Sequence, residues 1–328
     1  MFPHLPRHSV VGFRASLVLG TAVVAALTVA RLFPVALISG ALVLPLLVAL
    51  YLAEVDVYGA EPVWALVLTI GWGAAAGVLI GRLALAIEPS TATLLRTGTS
   101  AGTLDSGVVL PLAGLALLMG GPLILLRFRR FHEVLDGVTF GAVTGASFAG
   151  AEAITYGVDL LGQGLRPEGT IVPWLWRLLS VSVAEPVLTM GAAAVICASL
   201  WLRYRAPVRD AEALGPLGHP AVAAALGALL VVGGALGSTF LPAGWWLVWL
   251  VAFDLVALVL LRLTIHVGLL EESADRPIGP PFVCPNCGQT TARHTFCGNC
   301  GISLRALPKT RSNAGDGEIA PPGAGGGP

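Results

Sequence analysis

Four ionisable side chains interrupt long apolar stretches of the sequence: Glu152, Glu185, Asp254 and His266. An ionisable residue inside a membrane span is costly, and it usually faces the protein interior or a water-filled cavity. A glutamate can act as the general base on water, and a histidine or a metal ion can supply the remaining groups that hydrolysis needs. We therefore predict that Glu152, Glu185 and His266 are the candidate catalytic residues.

Each of these residues also has a structural interpretation. Glu152 can be a protonated carboxyl that bonds a neighbouring helix, and Glu185 can lie closer to the membrane surface. Asp254 and Arg262 can form an ion pair, and together with His266 they follow an i+4 stripe along one helix. A histidine near the end of a span is often solvated or caps the helix. The residue types alone leave both interpretations open.

Two Cys-x-x-Cys knuckles lie near the end of the sequence, formed by Cys284 with Cys287 and by Cys297 with Cys300. Four thiolates on two short turns give the tetrahedral ligand set of a structural zinc site, which leaves no open position for catalysis. We predict a zinc ribbon that holds Zn²⁺ as a structural ion. The alternative is a pair of disulfides, which a reducing compartment disfavours.

The composition is that of a polytopic membrane protein, with 55% hydrophobic and only 12% charged residues. A soluble domain of this length could not cover its surface with so few charges. Several apolar stretches approach the roughly 20 residues that a helix needs to cross a bilayer. We predict an all-α transmembrane bundle of about eight spans, at residues 15–31, 33–52, 62–87, 107–126, 134–157, 173–202, 217–241 and 244–270.

Two of these spans carry a further signal. The span at 134–157 places small residues at i+4 spacing, which lets a neighbouring helix approach closely; they are Gly137, Gly141, Gly145 and Ala149. In the next span Glu185 precedes Pro186, and a proline inside a helix predicts a kink. A transporter is not favoured, because the sequence shows neither an inverted repeat nor a pair of broken helices in corresponding positions.

Arginine residues cluster at alternate span ends, which predicts the orientation by the positive-inside rule. They are Arg7, Arg14, Arg127, Arg129, Arg130, Arg203, Arg205, Arg209 and Arg276. We predict a multi-pass protein of the cell membrane with cytoplasmic N- and C-termini. The expected partners are the lipid bilayer, a single-span membrane protein and an unidentified cytoplasmic partner of the ribbon. The net charge of zero gives no indication of nucleic-acid binding.

The sequence divides into four predicted regions. Residues 1–272 form the membrane domain, and 273–281 form a Pro/Gly-containing linker. Residues 282–305 form the zinc ribbon. Residues 306–328 end in PPGAGGGP and are predicted to be a disordered tail.

Two segments of the membrane domain resemble a known family. Residues 51–73 read YLAEVDVYGAEPVWALVLTIGWG, and residues 136–152 carry Asp-Gly, Phe-Gly and Phe-x-x-x-Glu steps that end at Glu152. They are similar to the second loop and the "DGxxYGxxxGxGFxxxEN" motif of the PrsW family of intramembrane proteases, which is related to CAAX-prenyl-protease and abortive-infection membrane proteins. The resemblance covers most of residues 35–200. A C-terminal zinc ribbon is also familiar in actinobacterial members.

The sequence departs from the family at its paired glutamates. The family carries a Pro-x-x-Glu-Glu-x-x-Lys motif in the preceding span, whereas the matching stretch here starts at Pro111 and reads PLAGLALL. Gly114 and Leu115 therefore stand at the glutamate positions, and Leu118 stands at the lysine position.

Three further positions follow from the resemblance. The family has a histidine four residues before a threonine, and here Glu185 stands four residues before Thr189. The asparagine after the last motif glutamate is Ala153. His266 resembles a late histidine of the family, although no motif aligns the two positions. We favour a non-catalytic pseudoenzyme that binds a membrane partner; the alternative is an active intramembrane endopeptidase that uses Glu152 with Glu185 and His266. No residue pattern supports a catalytic metal.

Overall fold

The computed structural model describes residues 11–55, 63–87, 104–165, 171–206, 211–273, 282–291, 296–297 and 299–303. The chain divides into two compact units, Met1–Asp275 and Arg276–Pro328. The predicted tail lies outside the described residues, and so does the predicted linker after its first residue, Ser273. The finer domain boundaries remain predictions.

The first unit is helical. Its helices are α1 Val11–Val29, α2 Phe33–Val55, α3 Val63–Ile87, α4 Leu110–Leu118, α5 Gly120–Leu125, α6 Val134–Gln163, α7 Ile171–Leu179, α8 Glu185–Tyr204, α9 Pro220–Phe240 and α10 Ala243–Ser273. A 3₁₀ segment, Ala211–Gly218, precedes α9. Among the described residues, eight helical segments are long and apolar enough to cross a membrane, which confirms the predicted class of an eight-span bundle. Residues 105–125 form the fourth span and residues 171–204 form the sixth.

Helix α6 is the centre of the bundle. In α6, 94% of the membrane-spanning window is buried, against 6% in α1. The helix begins with a capping box, in which the Asp136 carboxylate accepts the Glu133 N–H at 3.1 Å. It ends at Gln163, beyond the predicted end at residue 157, and the Gln163 side chain donates to Asp159 at 3.2 Å in this last turn. The buried α6 therefore fixes the positions of its polar residues between neighbouring helices.

Glycine brings two helices against α6. A Cβ atom on Gly141 would lie 2.6 Å from the Ala193 carbonyl oxygen, and one on Gly145 would lie 2.8 Å from the Thr189 oxygen. This close approach of α8 confirms the small-residue stripe that the sequence predicted. On the other side, a Cβ on Gly77 of α3 would clash with the Phe148 carbonyl. The sequence analysis did not identify this second contact.

Two spans contain a wide turn just before a proline. In the sixth span a π-helical turn, Ser180–Ala184, precedes Pro186, which confirms the predicted irregularity. In the fourth span a π-helical turn, Asp105–Val109, precedes Pro111, and this interruption was not predicted. A proline removes one backbone donor and its ring crowds the preceding turn, so a locally wider helix accommodates it.

The second unit contains two short antiparallel strands, β1 Phe282–Val283 and β2 Thr290–Thr291. Two similar turns follow its first and third cysteines. The Gly288 N–H donates to the Cys284 carbonyl at 2.8 Å, and the Gly301 N–H donates to the Cys297 carbonyl at 2.9 Å. Both glycines have φ near the left-handed region, at 70° and 69°. This conformation is the reason for glycine at these two positions.

Candidate functional site

A cavity of about 150 Å³ lies within the helical unit. Its walls come from α3, the fourth span, α6, the sixth span, α9 and α10. On α3 the lining belongs to the last turns, from Ile80 to Ile87, and on α10 it belongs to the first turns, at Trp246 and Leu250. The cavity therefore lies toward the end of the bundle at which α3 ends and α10 begins. Glu152 and Glu185 both line it.

Glu152 has one side-chain contact and one backbone contact with its surroundings. Tyr156, one turn further along α6, donates its hydroxyl to Glu152 Oε1 at 3.1 Å. The backbone at Glu152 lies against α3, because a Cβ on Gly77 would be only 3.1 Å from the Glu152 nitrogen. Glu152 is half-buried and the Tyr156 side chain is buried. One carboxyl oxygen is thus engaged by tyrosine at the wall of the cavity.

Glu185 follows directly after the π-helical turn of the sixth span and is also half-buried. The Thr189 hydroxyl donates to the Glu185 carbonyl oxygen at 2.8 Å, so this contact engages the backbone and not the carboxylate. The Glu185 carboxylate lies within electrostatic range of Glu152, Asp254 and the Arg177 guanidinium. Two acidic groups and one basic group therefore act electrostatically on Glu185.

The residues of the predicted stripe on α10 do not share one environment in the structure. Asp254 is only 8% exposed, and its Oδ1 atom has no hydrogen-bond partner among the described residues. Arg262 and His266 are both exposed on the helical unit. Steps of four residues rotate by about 40° each on a helix, so the stripe turns from the interior to the surface over two to three steps. His266 does not line the cavity that Glu152 and Glu185 share.

Apolar side chains occupy the fourth-span positions that the family resemblance assigns to charged residues. Leu115 and Leu118 line the cavity. Gly114 faces Phe148, since a Cβ there would lie 2.9 Å from Phe148 Cζ. The part of the cavity wall that faces Glu152 from the fourth span is therefore apolar at Leu115 and Leu118.

Sequence reasoning missed two residues that belong to this region. Tyr156 is four residues after Glu152, and i+4 spacing on a helix could have indicated the contact. Arg177 is 6% exposed and interacts electrostatically with Glu185. A charged residue inside an apolar span was the available signal.

The four cysteines of the second unit form a compact cluster. The sulfur of Cys284 lies 3.8 Å from that of Cys300, and the sulfurs of Cys287 and Cys297 are also 3.8 Å apart. All four sulfur atoms lie within 4.8 Å of one another. Zn–S bonds of about 2.3 Å in a regular tetrahedron require sulfur separations of about 3.8 Å. The cluster is therefore able to hold a metal ion.

The backbone around the third cysteine favours its thiolate. Burial raises the pKa of Cys297, but the backbone N–H groups of Cys300 and Asn299 donate to its sulfur and lower it more, so that the pKa falls to about 6. The neighbouring thiols and burial outweigh a backbone hydrogen bond at Cys287 and raise its pKa to about 11. The thiolate is the form that binds metal, and binding releases the protons of the remaining thiols.

The fold and the cavity define a multi-pass helical membrane protein with two carboxyl side chains at the wall of one cavity. The family model described as PrsW family intramembrane metalloprotease matches residues 61–219. This match supports membership of the chain in that family and agrees with the resemblance that the α6 motif indicated. No curated protein and no solved structure matches the chain.

The family description implies a catalytic metal, and the cavity residues do not fit one. Catalytic metal sites of hydrolases usually have three protein ligands. Among the described residues, the cavity lining offers two candidate ligands, Glu152 and Glu185, and contains no histidine. Within the described part of the chain, the only group of three or more cysteine, histidine or acidic residues with converging ligand atoms is the cysteine cluster.

Proposed function

We propose that this chain is a non-catalytic PrsW-family protein that keeps the helical bundle and its cavity and binds a membrane partner. The observation that carries the proposal is the apolar wall of the cavity, where Leu115 and Leu118 stand at positions of the family's charged motif. Members of a catalytic unit act together, so loss of one often costs about as much as loss of all. Glu152 without the glutamate pair is therefore a poor catalyst.

A second function, intramembrane peptide hydrolysis, is favoured by a different observation. Glu152 and Glu185 line the same cavity, and Tyr156 bonds the first of them. Two carboxyl groups in unlike environments can serve as acid and base for the attack of water on a peptide. His266 lies outside this cavity, so this mechanism would depend on the two glutamates alone.

A reporter assay separates the two functions. Single-span membrane proteins from the same organism carry tags at both ends and are co-expressed with wild type, Glu152→Gln or Glu185→Gln. We expect all three to leave the reporters intact, and we expect wild type to retain its partner at full length during purification. Cleavage by wild type that either Gln variant abolishes would replace the binding function with the protease function.

The cysteine cluster is proposed to hold structural Zn²⁺ and to present the ribbon to a cytoplasmic partner. The sulfur separations of 3.8 Å support a tetrahedral ion, and four thiolates leave no position for a substrate. Metal analysis of the purified protein tests this assignment. We expect one zinc ion per chain, and an iron–sulfur absorption spectrum would contradict it.

We propose that the protein resides in the cell membrane with both termini in the cytoplasm. The Arg205 guanidinium donates to the Leu126 carbonyl, so the end of the sixth span and the end of the fourth span lie on the same side. Exposed Arg127, Arg129 and Arg203 lie on that side as well, which supports the positive-inside assignment. Fluorescent and phosphatase reporters fused to the C-terminus test it, and phosphatase activity would contradict it.

A further inference from the structure

We infer that the cavity binds an ammonium group, presented by a lysine side chain of the membrane partner, instead of a metal ion. This inference rests on the proposed function, because it names the chemistry of the partner that a non-catalytic cavity would hold. Four properties of the described residues carry it: the size of the cavity, the orientation of its hydroxyl groups, the charge around it and its aromatic walls.

The volume excludes a large ligand. A cavity of about 150 Å³ is smaller than the roughly 300–1,000 Å³ of typical ligand pockets. An engineered cavity of about the same volume accommodates benzene. One long side chain therefore fits, whereas a helix of about 10–12 Å diameter does not. The partner helix must therefore lie outside the cavity and insert one side chain into it.

Three of the hydroxyl groups that line the cavity donate their protons to other acceptors. Tyr156 donates to Glu152 Oε1, Thr189 donates to the Glu185 carbonyl, and Ser238 donates to the Ala235 carbonyl at 2.6 Å. Their oxygen atoms remain available as acceptors, as do those of the two carboxyl groups. An ammonium group has three donors and no acceptor, so it complements this lining.

The ionisable groups around the cavity also favour a cationic ligand. Glu152 and Asp254 are the acidic groups that act electrostatically on Glu185, and Arg177 is the cation that acts on it. The acidic groups outnumber this cation among the residues that act on Glu185. The carboxyl groups at the wall can pair with an incoming cation, and an ammonium group needs no third protein ligand of the kind that a catalytic metal requires.

Aromatic side chains complete the walls. Phe148, Tyr156 and Trp246 all line the cavity, and aromatic rings attract ammonium groups within about 6 Å. Trp246 is 4% exposed, so its ring forms part of the buried wall.

The cavity has a route to the surface of the described part of the bundle. Ile87, the last residue of α3, lines the cavity and is 46% exposed. The partner lysine would therefore lie in the half of its span that is level with the end of α3. A lysine side chain is long enough to extend several ångströms from its helix while its stem stays in an apolar environment.

Ligand-observed NMR and thermal unfolding of the full chain in phosphatidylcholine nanodiscs test the inference. The probe is n-butylammonium chloride, which has fewer non-hydrogen atoms than benzene. n-Butanol, sodium butyrate and sodium chloride are the neutral, anionic and inorganic controls. We expect saturable stabilisation by the ammonium probe alone, and a half-maximal concentration about tenfold or more higher in Glu152→Gln and in Glu185→Gln.

Asp159→Asn is the matched control variant. Asp159 is an acidic residue on the same helix as Glu152 but does not line the cavity, so its removal should leave the response unchanged. Equal responses to sodium chloride or n-butanol, or unaltered responses in both Gln variants, would overturn the inference.

Competition assigns the source of the ammonium group. A single-span peptide with one lysine in the half level with the end of α3 should displace the probe, and its Lys→Met version should not. Displacement by phosphatidylethanolamine nanodiscs, but not by the lysine peptide, would assign the site to lipid and overturn the partner lysine. Reporter cleavage would contradict the proposed function without removing the ammonium affinity, so the two failures are distinguishable.

Discussion

The membrane cavity and the cysteine cluster are built in opposite ways. The cluster takes four ligands from 17 consecutive residues, on two turns of similar geometry. The cavity takes its lining from six spans between Ile80 and Leu250. The first site is chemically complete in a short segment, whereas the second exists only after the bundle has formed. A substitution in the cluster therefore changes one ligand set, and a substitution in the bundle can change the site from a distance.

The largest expected effect is in the cluster. We expect Cys284→Ser or Cys297→Ser to abolish stoichiometric metal binding and the strands of the ribbon, because structural zinc contributes about 10–16 kcal/mol in small domains. The helical unit should keep its thermal unfolding temperature. Metal analysis and circular dichroism measure both effects. Cys197→Ser is the matched control, since Cys197 is buried in α8 and should leave the metal content unchanged.

The next effect tests whether the bundle positions the cavity. We expect Gly77→Ala to destabilise the protein by about 1–3 kcal/mol, because the added methyl group meets the Phe148 carbonyl backbone of α6. Gly71→Ala on the same helix meets no atom within 4 Å and should be neutral or slightly stabilising. Thermal unfolding in nanodiscs measures the difference. Equal effects would mean that the α3 contact does not hold the site.

A smaller effect is expected inside the cavity. We expect Tyr156→Phe to cost about 1 kcal/mol of stability and to weaken ammonium binding, because it removes the donor to Glu152 Oε1. Tyr204→Phe is its control, since Tyr204 is 55% exposed. Unfolding curves and probe titrations on the two variants give the comparison. A larger loss of stability or of ammonium affinity in Tyr204→Phe would contradict the role assigned to the Tyr156 hydroxyl.

The smallest effect is predicted for His266. We expect His266→Ala to leave ammonium affinity, partner recovery and reporter processing unchanged, because His266 is exposed and does not line the cavity. Titration and reporter assays of this variant beside Glu152→Gln check it. A loss as large as that of Glu152→Gln would make His266 part of the site.

The sequence predicted the residues of the cysteine cluster more completely than those of the membrane cavity, and the reason is physical. Cysteine spacing specifies a ligand set within a few residues, so Cys284, Cys287, Cys297 and Cys300 could be named directly. The existence of eight spans followed from apolar length, and the close approach of a neighbouring helix to α6 followed from glycine spacing. Whether Glu185 shares a cavity with Glu152 depends on the packing of separate spans. One sequence contains no periodic signal for that distance.

The stripe on α10 illustrates the same difference. Spacing of four residues predicted a common face for Asp254, Arg262 and His266, yet the rotation of the helix places the first inside and the other two outside. Local periodicity is reliable over one or two turns. Over three turns the orientation depends on where the neighbouring helices lie.

The burial of α6 has a consequence for biogenesis. It is the least apolar of the eight spans and also the most enclosed, and it carries Glu152. Lipid alone is a poor solvent for such a segment, so retention in the bilayer during synthesis has to come from helices that are made before and after it. Nascent chains that stop soon after Gln163 lack α8, and we expect α6 to stay outside the bilayer or the chain to be degraded, whereas in chains that extend past Tyr204 α6 should be inserted; protease protection of α6 in membranes measures this.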